Sequence, residues 1–421
     1  MLFRSKKQIQ VQSEIGELEA VILHTPGPEV ENMTPENAER ALYSDILNLS
    51  VANKEYEQLK GVLEKHAHVY QVKDLLTDIL RNKKVKEDLL TQICHYEKVC
   101  ENKSYLLSFS DEELAKNLIE GVVMRKDNLT RFFSNERYSL KPLHNFFYMR
   151  DASISVGDEV FIGKMANLVR ERESLIMESI FEYHPAFTTR TINPLRESGS
   201  SEKISYEGGD ILVPRHDILL IGTGCRTSSH GIDFILDHIG SRKGVQHVIV
   251  QELPEKPESF IHLDMVFTLL DKDTCMVFEP LILKPNRYRT VHITIDNGKV
   301  HIDTEENILE TLRKVGMDLK PLFCGGRKDS WVQEREQWHS GANFFAVGPG
   351  KVIGYGRNTN TIEELNQNGF EVIKANDILT GKADFSQYEK YVITIEGSEL
   401  ARGGGGARCM TMPVSRKKVN W

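Results

Sequence analysis

The chain has 421 residues, 40% of them hydrophobic, which is ample for a buried core and for two or three domains of ordinary size. Its 53 basic and 61 acidic residues are interspersed and leave a net charge of −8, without the basic footprint of a nucleic-acid or anionic-membrane binder. Six scattered cysteines include no CxxC pair, so neither a disulfide framework nor a zinc site is suggested. No apolar run approaches the roughly 18 residues of a membrane helix. No apolar stretch follows the early basic residues Arg4, Lys6 and Lys7 either, and the protein reads as cytoplasmic.

Along the chain, GELEAVILHTP (residues 16–26) reads as a strand, and Pro35 to His66 as two amphipathic helices. Residues 72–137 then read as helical throughout. Asp74–Arg81, Val85–Tyr96 and Asp111–Val122 carry the pattern, the last opened by a capping box from Ser110 to Glu113. No Gly/Ser/Pro linker flanks this stretch, so it is expected to be an all-helical insertion in an α/β domain made of residues 1–71 and 138–421.

Beyond it a unit repeats. RDASISVGDEVFIG begins at Arg150, GDILVPRHDILLIG at Gly209, LDMVFTLLDKDTCMVF at Leu263 and GANFFAVGPGKVIGYG at Gly341. Each is two apolar runs around turn residues, the mark of a hairpin. Helical patterns follow at Asn167–Tyr183, Ser229–Ile239 and Thr361–Gln367, and another at Thr304–Val315 precedes the Asn343 copy. One hairpin and one helix cannot bury their own apolar faces, so the copies imply a closed, pseudo-symmetric arrangement. A polar residue before a strand is commonly only a turn former. The same position is acidic in three copies, however, which predicts that Asp151, Asp210 and Asp264 converge on one axis.

The segment GSELARGGGGARCMTMP places Cys409 just after four glycines, Gly403–Gly406. It lacks the Lys-Ser/Thr ending of a phosphate loop, and a mobile loop beside a thiol suits a lid. A nucleophilic cysteine needs a partner that handles protons. His262 in IHLDM stands two residues before Asp264, and residues two apart on a strand share a face. By the same argument YEGGD pairs Glu207 with Asp210, with two glycines permitting close backbone approach. Asp151, Glu207 and Asp264 around a thiol make an anionic cavity that suits a guanidinium, a planar cation pairing bidentately with carboxylates. Clustered carboxylates also raise the thiol pKa, so Cys409 ionises only when the cation arrives. Arg170 and Arg226, near helix starts, are placed to hold a substrate carboxylate. The chemistry read from the residues is that of a cysteine enzyme acting on a guanidine.

FYMRD, YEGGD, IHLDM and GGARCMTMP, in that order, resemble the arginine deiminases of the guanidine-modifying superfamily, and the likeness runs from SEIGELEAVILHTPG to CMTMPVSR. The resemblance implies a five-bladed, pseudo-symmetric α/β propeller that hydrolyses L-arginine to L-citrulline and ammonia with no metal or organic cofactor. It implies Cys409 as nucleophile, forming an S-alkylthiouronium, His262 as acid/base, and Glu207 as positioner and proton shuttle. Asp151 and Asp264 would grip the guanidinium, and Asn145, Arg170 and Arg226 would hold the amino acid end. It also implies a dimer or tetramer. One departure concerns the glycine loop: Gly404 stands where some members carry a gating arginine, the nearest arginine being Arg402, and Arg408 stands where some have histidine. Two other readings stay open: a deiminase or amidinotransferase for another guanidine such as agmatine, and a non-catalytic arginine-binding homologue.

Overall fold

In the computed structural model, residues 7–34, 45–196 and 203–421 are described. Each expected hairpin forms. Ser153–Val156 pairs antiparallel with Glu159–Ile162, Ile211–Arg215 with Ile218–Thr223, Phe267–Asp271 with Thr274–Val277, and Phe345–Gly348 with Lys351–Tyr355. In each sheet the second strand is joined on its other side by a parallel strand, respectively Arg190–Ile192, Gln246–Glu252, Lys320–Phe323 and Tyr391–Ile395. Parallel neighbours need a crossover, and helices such as Glu171–Tyr183 and Ser229–Ile239 supply it. The early strand Leu18–Leu23 has the same surroundings. It runs antiparallel to Met412–Arg416 from the far end of the chain and parallel to His68–Gln71, which follows the helix Leu49–His66. The result is a mixed α/β fold in which Leu18–Leu23, near the start of the chain, shares a sheet with the last strand, and Cys409 lies just ahead of that last strand.

Between Val72 and Phe133 come the helices Val72–Leu80, Lys83–Tyr96, Lys103–Leu107, Asp111–Glu120 and Leu129–Phe133. The Ser110–Glu113 capping box is present, and its helix stops one residue before Gly121, whose φ of 85° a right-handed helix does not accept. The stretch is not wholly helical, because Val122–Val123 pairs with Tyr138–Leu140. Apolar side chains from the first four of these helices and from Glu171–Tyr183 share one core, whereas those of Leu129–Phe133 are exposed.

Two other expectations differ. Thr304–Val315 does not form one helix. Lys299–Glu305 is a strand paired with Thr290–Asp296, and the helix is Ile308–Lys314, started by the Asn307 side chain accepting the Glu310 N–H. The hairpin turns at Asn297-Gly298, both at positive φ, the Asn-Gly pair that a tight hairpin turn favours. Of the two helices expected over Pro35–His66, the second is Leu49–His66, and residues 35–44 lie outside the described residues, as do 1–6. Among the described residues no helix is long and apolar enough to cross a membrane.

Candidate active site

Each leading residue sits where the chain enters a hairpin, and the entries meet. Glu207 is followed by a 3-10 turn, Gly208–Asp210, and His262 by another, Leu263–Met265. The strand argument for shared faces therefore fails, since both pairs lie in turns. Glu207 accepts from His262 Nε2 at 3.0 Å, and Asp210 turns away to accept the Leu263 N–H at 2.9 Å and the Thr227 hydroxyl at 2.6 Å. Asp210 thus ties one turn to the next, while Glu207 faces the site. His262 Nδ1 stands 3.6 Å from Asp151 Oδ1, whose hydrogen-bonding capacity is otherwise unfilled. A Cβ on Gly209 would fall 2.5 Å from His262 Nδ1, so only glycine lets the first turn pass this ring.

Asp264 takes the other side. Its oxygens lie 3.7 and 3.9 Å from Cys409 Sγ. Cys409, His262, Asp151, Asn145, Tyr148, Arg170, Arg226 and the backbone of Gly403–Gly405 line one cavity of about 30 Å³. That holds one or two waters, not an amino acid, so a wall must move for a larger ligand to enter. The glycine segment is such a wall, although it is pinned: the Tyr355 hydroxyl donates to Gly405 O at 2.9 Å, and Arg402 is bound to Asp45 and Glu399 rather than to the cavity. Gly404 has a φ of 86° with open space around it, so this position asks for a left-handed backbone rather than for room.

The two expected carboxylate-holding arginines differ. Arg226 lines the cavity, 13% exposed, 3.5 Å from Glu207. Arg170 is buried and largely committed. It donates to Asp151 Oδ2 at 2.6 Å, forks onto Glu173, and donates to the Asn145 and Tyr148 carbonyls.

The electrostatics follow from burial and these partners. Burial pushes the Cys409 thiol well above its ordinary value, and Asp264 and Asp151 push it further. Burial would lower the His262 pKa, but Asp151, Glu207 and Asp210 outweigh it and hold it at about 9. Glu207, raised by burial, is brought far below the usual carboxylate range by Arg226 and His262. Asp210 is pushed up to about 7 by burial. Raised folded-state values favour the low-pH side. The His262 contribution is complete below pH 6.5 and is lost as pH rises toward 9, and that of Asp210 is lost between about 4 and 7. The melting temperature is therefore expected to fall between pH 6.5 and 9, with His262 accounting for on the order of 3 kcal/mol of stability. A His262→Gln variant with the same slope over that range would contradict this.

Asp151, Glu207 and His262 offer atoms within 4.8 Å of one another, a spacing a metal ion also uses. Here each already has a partner within the site: Asp151 has Arg170, and Glu207 has Arg226 and His262.

Sequence reasoning missed the layer behind Asp264. Arg408, 1% exposed, forks onto Glu14 and donates to Asp264 Oδ2 at 2.8 Å. Arg150 and Arg416 are buried beside it. It also missed Asn343, whose amide touches the sulfur. The available signal was its leading place in the fourth hairpin.

The architecture is similar to that of the N-terminal domain of ArgZ, an arginine dihydrolase from the ornithine–ammonia cycle in cyanobacteria. The TM-score is 0.52 and the identity 14%, covering 94% of this chain and 98% of that one. At that identity the likeness is one of fold, a mixed α/β fold shared also with an amidinotransferase from Microseira wollei and a dimethylarginine dimethylaminohydrolase. The chain belongs to the arginine deiminase family, whose model matches residues 39–416. It is 34% identical to the arginine deiminase of Bacillus thuringiensis subsp. konkukian, over 98% of this chain and 100% of that one. To the arginine deiminase of Listeria monocytogenes it is 33% identical, over 99% and 100%.

Proposed function

We propose that this protein hydrolyses L-arginine to L-citrulline and ammonia through a covalent S-alkylthiouronium on Cys409. The observation that carries the reading is a buried thiol sharing one cavity with His262 and Asp151, with Asp264 3.7 Å from the sulfur and Glu207 bonded to the imidazole. Arginine brings its guanidinium between Asp151 and Asp264. The incoming cation offsets the two charges that hold the thiol up, and the thiol gives its proton to solvent. The thiolate attacks the guanidinium carbon and forms a C–S bond and a neutral tetrahedral adduct. His262, an imidazolium below its pKa of about 9, protonates one amino group, the C–N bond breaks, and ammonia leaves a thiouronium cation. Neutral His262 then takes a proton from water as the oxygen bonds to carbon. The C–S bond breaks with its electrons on sulfur, the hydroxyl proton is released, and citrulline forms. The net reaction consumes one water and yields citrulline and ammonium, and no step uses a metal or organic cofactor. Glu207 orients the imidazole and stabilises its charge, and Asn145, Arg170 and Arg226 take the amino acid end.

The same reading extends to the architecture. The five sheets that share the hairpin-plus-parallel-strand pattern are the blades of a five-bladed α/β propeller, with residues 1–71 and 138–421 forming it and 72–137 inserted. The protein is taken to act in the cytoplasm as a dimer or tetramer. Arg170 favours one second reading, because its commitment to Asp151 and Glu173 leaves Arg226 as the freer carboxylate ligand and opens the site to a guanidine without a carboxylate, such as agmatine. Turnover of arginine and agmatine, with mass spectrometry of protein quenched during turnover, tests both. The expected result is faster citrulline production from arginine and an adduct on the peptide containing Cys409. Faster agmatine turnover would transfer the assignment to the second reading.

A further inference from the structure

The leading position of the repeated hairpin is aspartate at 151, 210 and 264 but an amide at Asn343, whose N–H reaches the sulfur. Asn343 is 1% exposed. Its Oδ1 accepts the backbone N–H of Arg408 at 2.9 Å and that of Cys409 at 3.3 Å. A backbone N–H can only donate, so these two bonds decide which way the amide faces, and the NH₂ must point the other way. There one N–H goes to the Asp264 carbonyl at 3.1 Å and another to Cys409 Sγ at 3.2 Å. The glycine loop is shaped around this contact, since a Cβ on Gly406 would lie 2.6 Å from Asn343 Oδ1.

The surroundings of the sulfur explain why an amide is useful here. Burial, Asp264 and Asp151 all oppose negative charge on it. An aspartate at 343 would put a third carboxylate oxygen where an N–H donor now stands, whereas an N–H aimed at sulfur favours the thiolate. The backbone N–H of Gly406 works in the same direction. The geometry points to Asn343 as a further catalytic residue: its amide N–H stabilises the Cys409 thiolate before attack and again when sulfur leaves the second tetrahedral adduct. This rests on the reading that Cys409 is the nucleophile.

Asn343→Asp separates this role from that of a loop anchor. It keeps the oxygen that accepts the two backbone N–H groups and replaces the NH₂ that faces sulfur and the Asp264 carbonyl with a second carboxylate oxygen. The probe is iodoacetamide on the full-length protein without arginine, followed across pH at the Cys409 peptide because the exposed Cys100 and Cys225 also react. The expected result is alkylation of the Cys409 peptide about 10- to 100-fold slower at any fixed pH below the midpoint, the equivalent of a midpoint raised by about one to two pH units. Turnover should fall on the order of 10- to 100-fold in kcat, with KM changed little. Gly406→Ala, which crowds the amide without altering it, should shift the midpoint the same way and serves if Asn343→Asp does not fold. An unchanged alkylation profile in either folded variant overturns the inference, even if turnover falls, because Asn343 would then only hold the loop. Failure of the underlying reading is distinguishable: wild-type protein alkylated at Cys409 would keep making citrulline.

Discussion

Replacing Cys409 by serine is expected to lower citrulline formation by roughly 10⁴- to 10⁶-fold, while the protein stays folded and still binds arginine. The size of the effect comes from the site. A serine hydroxyl holds its proton far more tightly than a thiol, and burial with two carboxylates beside it opposes ionisation further. The imidazole that would have to act as the base is already an imidazolium, held by Asp151 and Glu207 with its pKa at about 9. Exchanging sulfur for oxygen changes little volume at a position only 4% exposed, so the melting temperature should move by no more than a few degrees. Asp151 and Asp264 remain to receive the guanidinium, so arginine binding by calorimetry should persist without turnover. Serine activity within tenfold of wild type would remove Cys409 from the chemistry.

The five residues of the proposed chemistry were legible because each sits at a punctuated place. Asp151, Glu207 and Asp264 lie at hairpin entries, Glu207 stands before two glycines, and Cys409 follows four. A chemical side chain beside a turn signal survives in sequence even when its orientation is misjudged. His262 and Asp264 illustrate the misjudgement. They meet in one place but reach it from a 3-10 turn rather than from one face of a strand, so the backbone does not support the argument that paired them. Arg170 could be seen near a helix start, but its bond to Asp151 could not, because which carboxylate an arginine finds is settled by packing. The Glu14–Arg408 pair was out of reach altogether. Its partners lie 394 positions apart, and neither end carries a periodicity or spacing that announces the other.

That pair carries the second large expected effect, in stability. Arg408→Met is expected to cost about 3 kcal/mol, at the low end of the range for breaking a buried ion pair. The low end follows from the charges present. Arg150, Arg408 and Arg416 face Glu14 and Asp264, so removing one guanidinium leaves two cations for two carboxylates rather than a net buried anion. Burial together with Arg408 lowers Arg150 to about 9, a strain that the substitution relieves. Hydrogen bonds are what is lost. Glu14 keeps the Val213 N–H at 3.2 Å but loses the fork, and Asp264 loses the 2.8 Å donor that orients it. Arg408→Lys keeps a charge without the fork and should fall between wild type and methionine. In both variants KM for arginine should rise, since Asp264 is no longer held with one oxygen toward the guanidinium. Equilibrium unfolding in urea measures the first effect and initial rates the second. A methionine variant as stable as wild type would mean that Arg150 and Arg416 already satisfy both carboxylates.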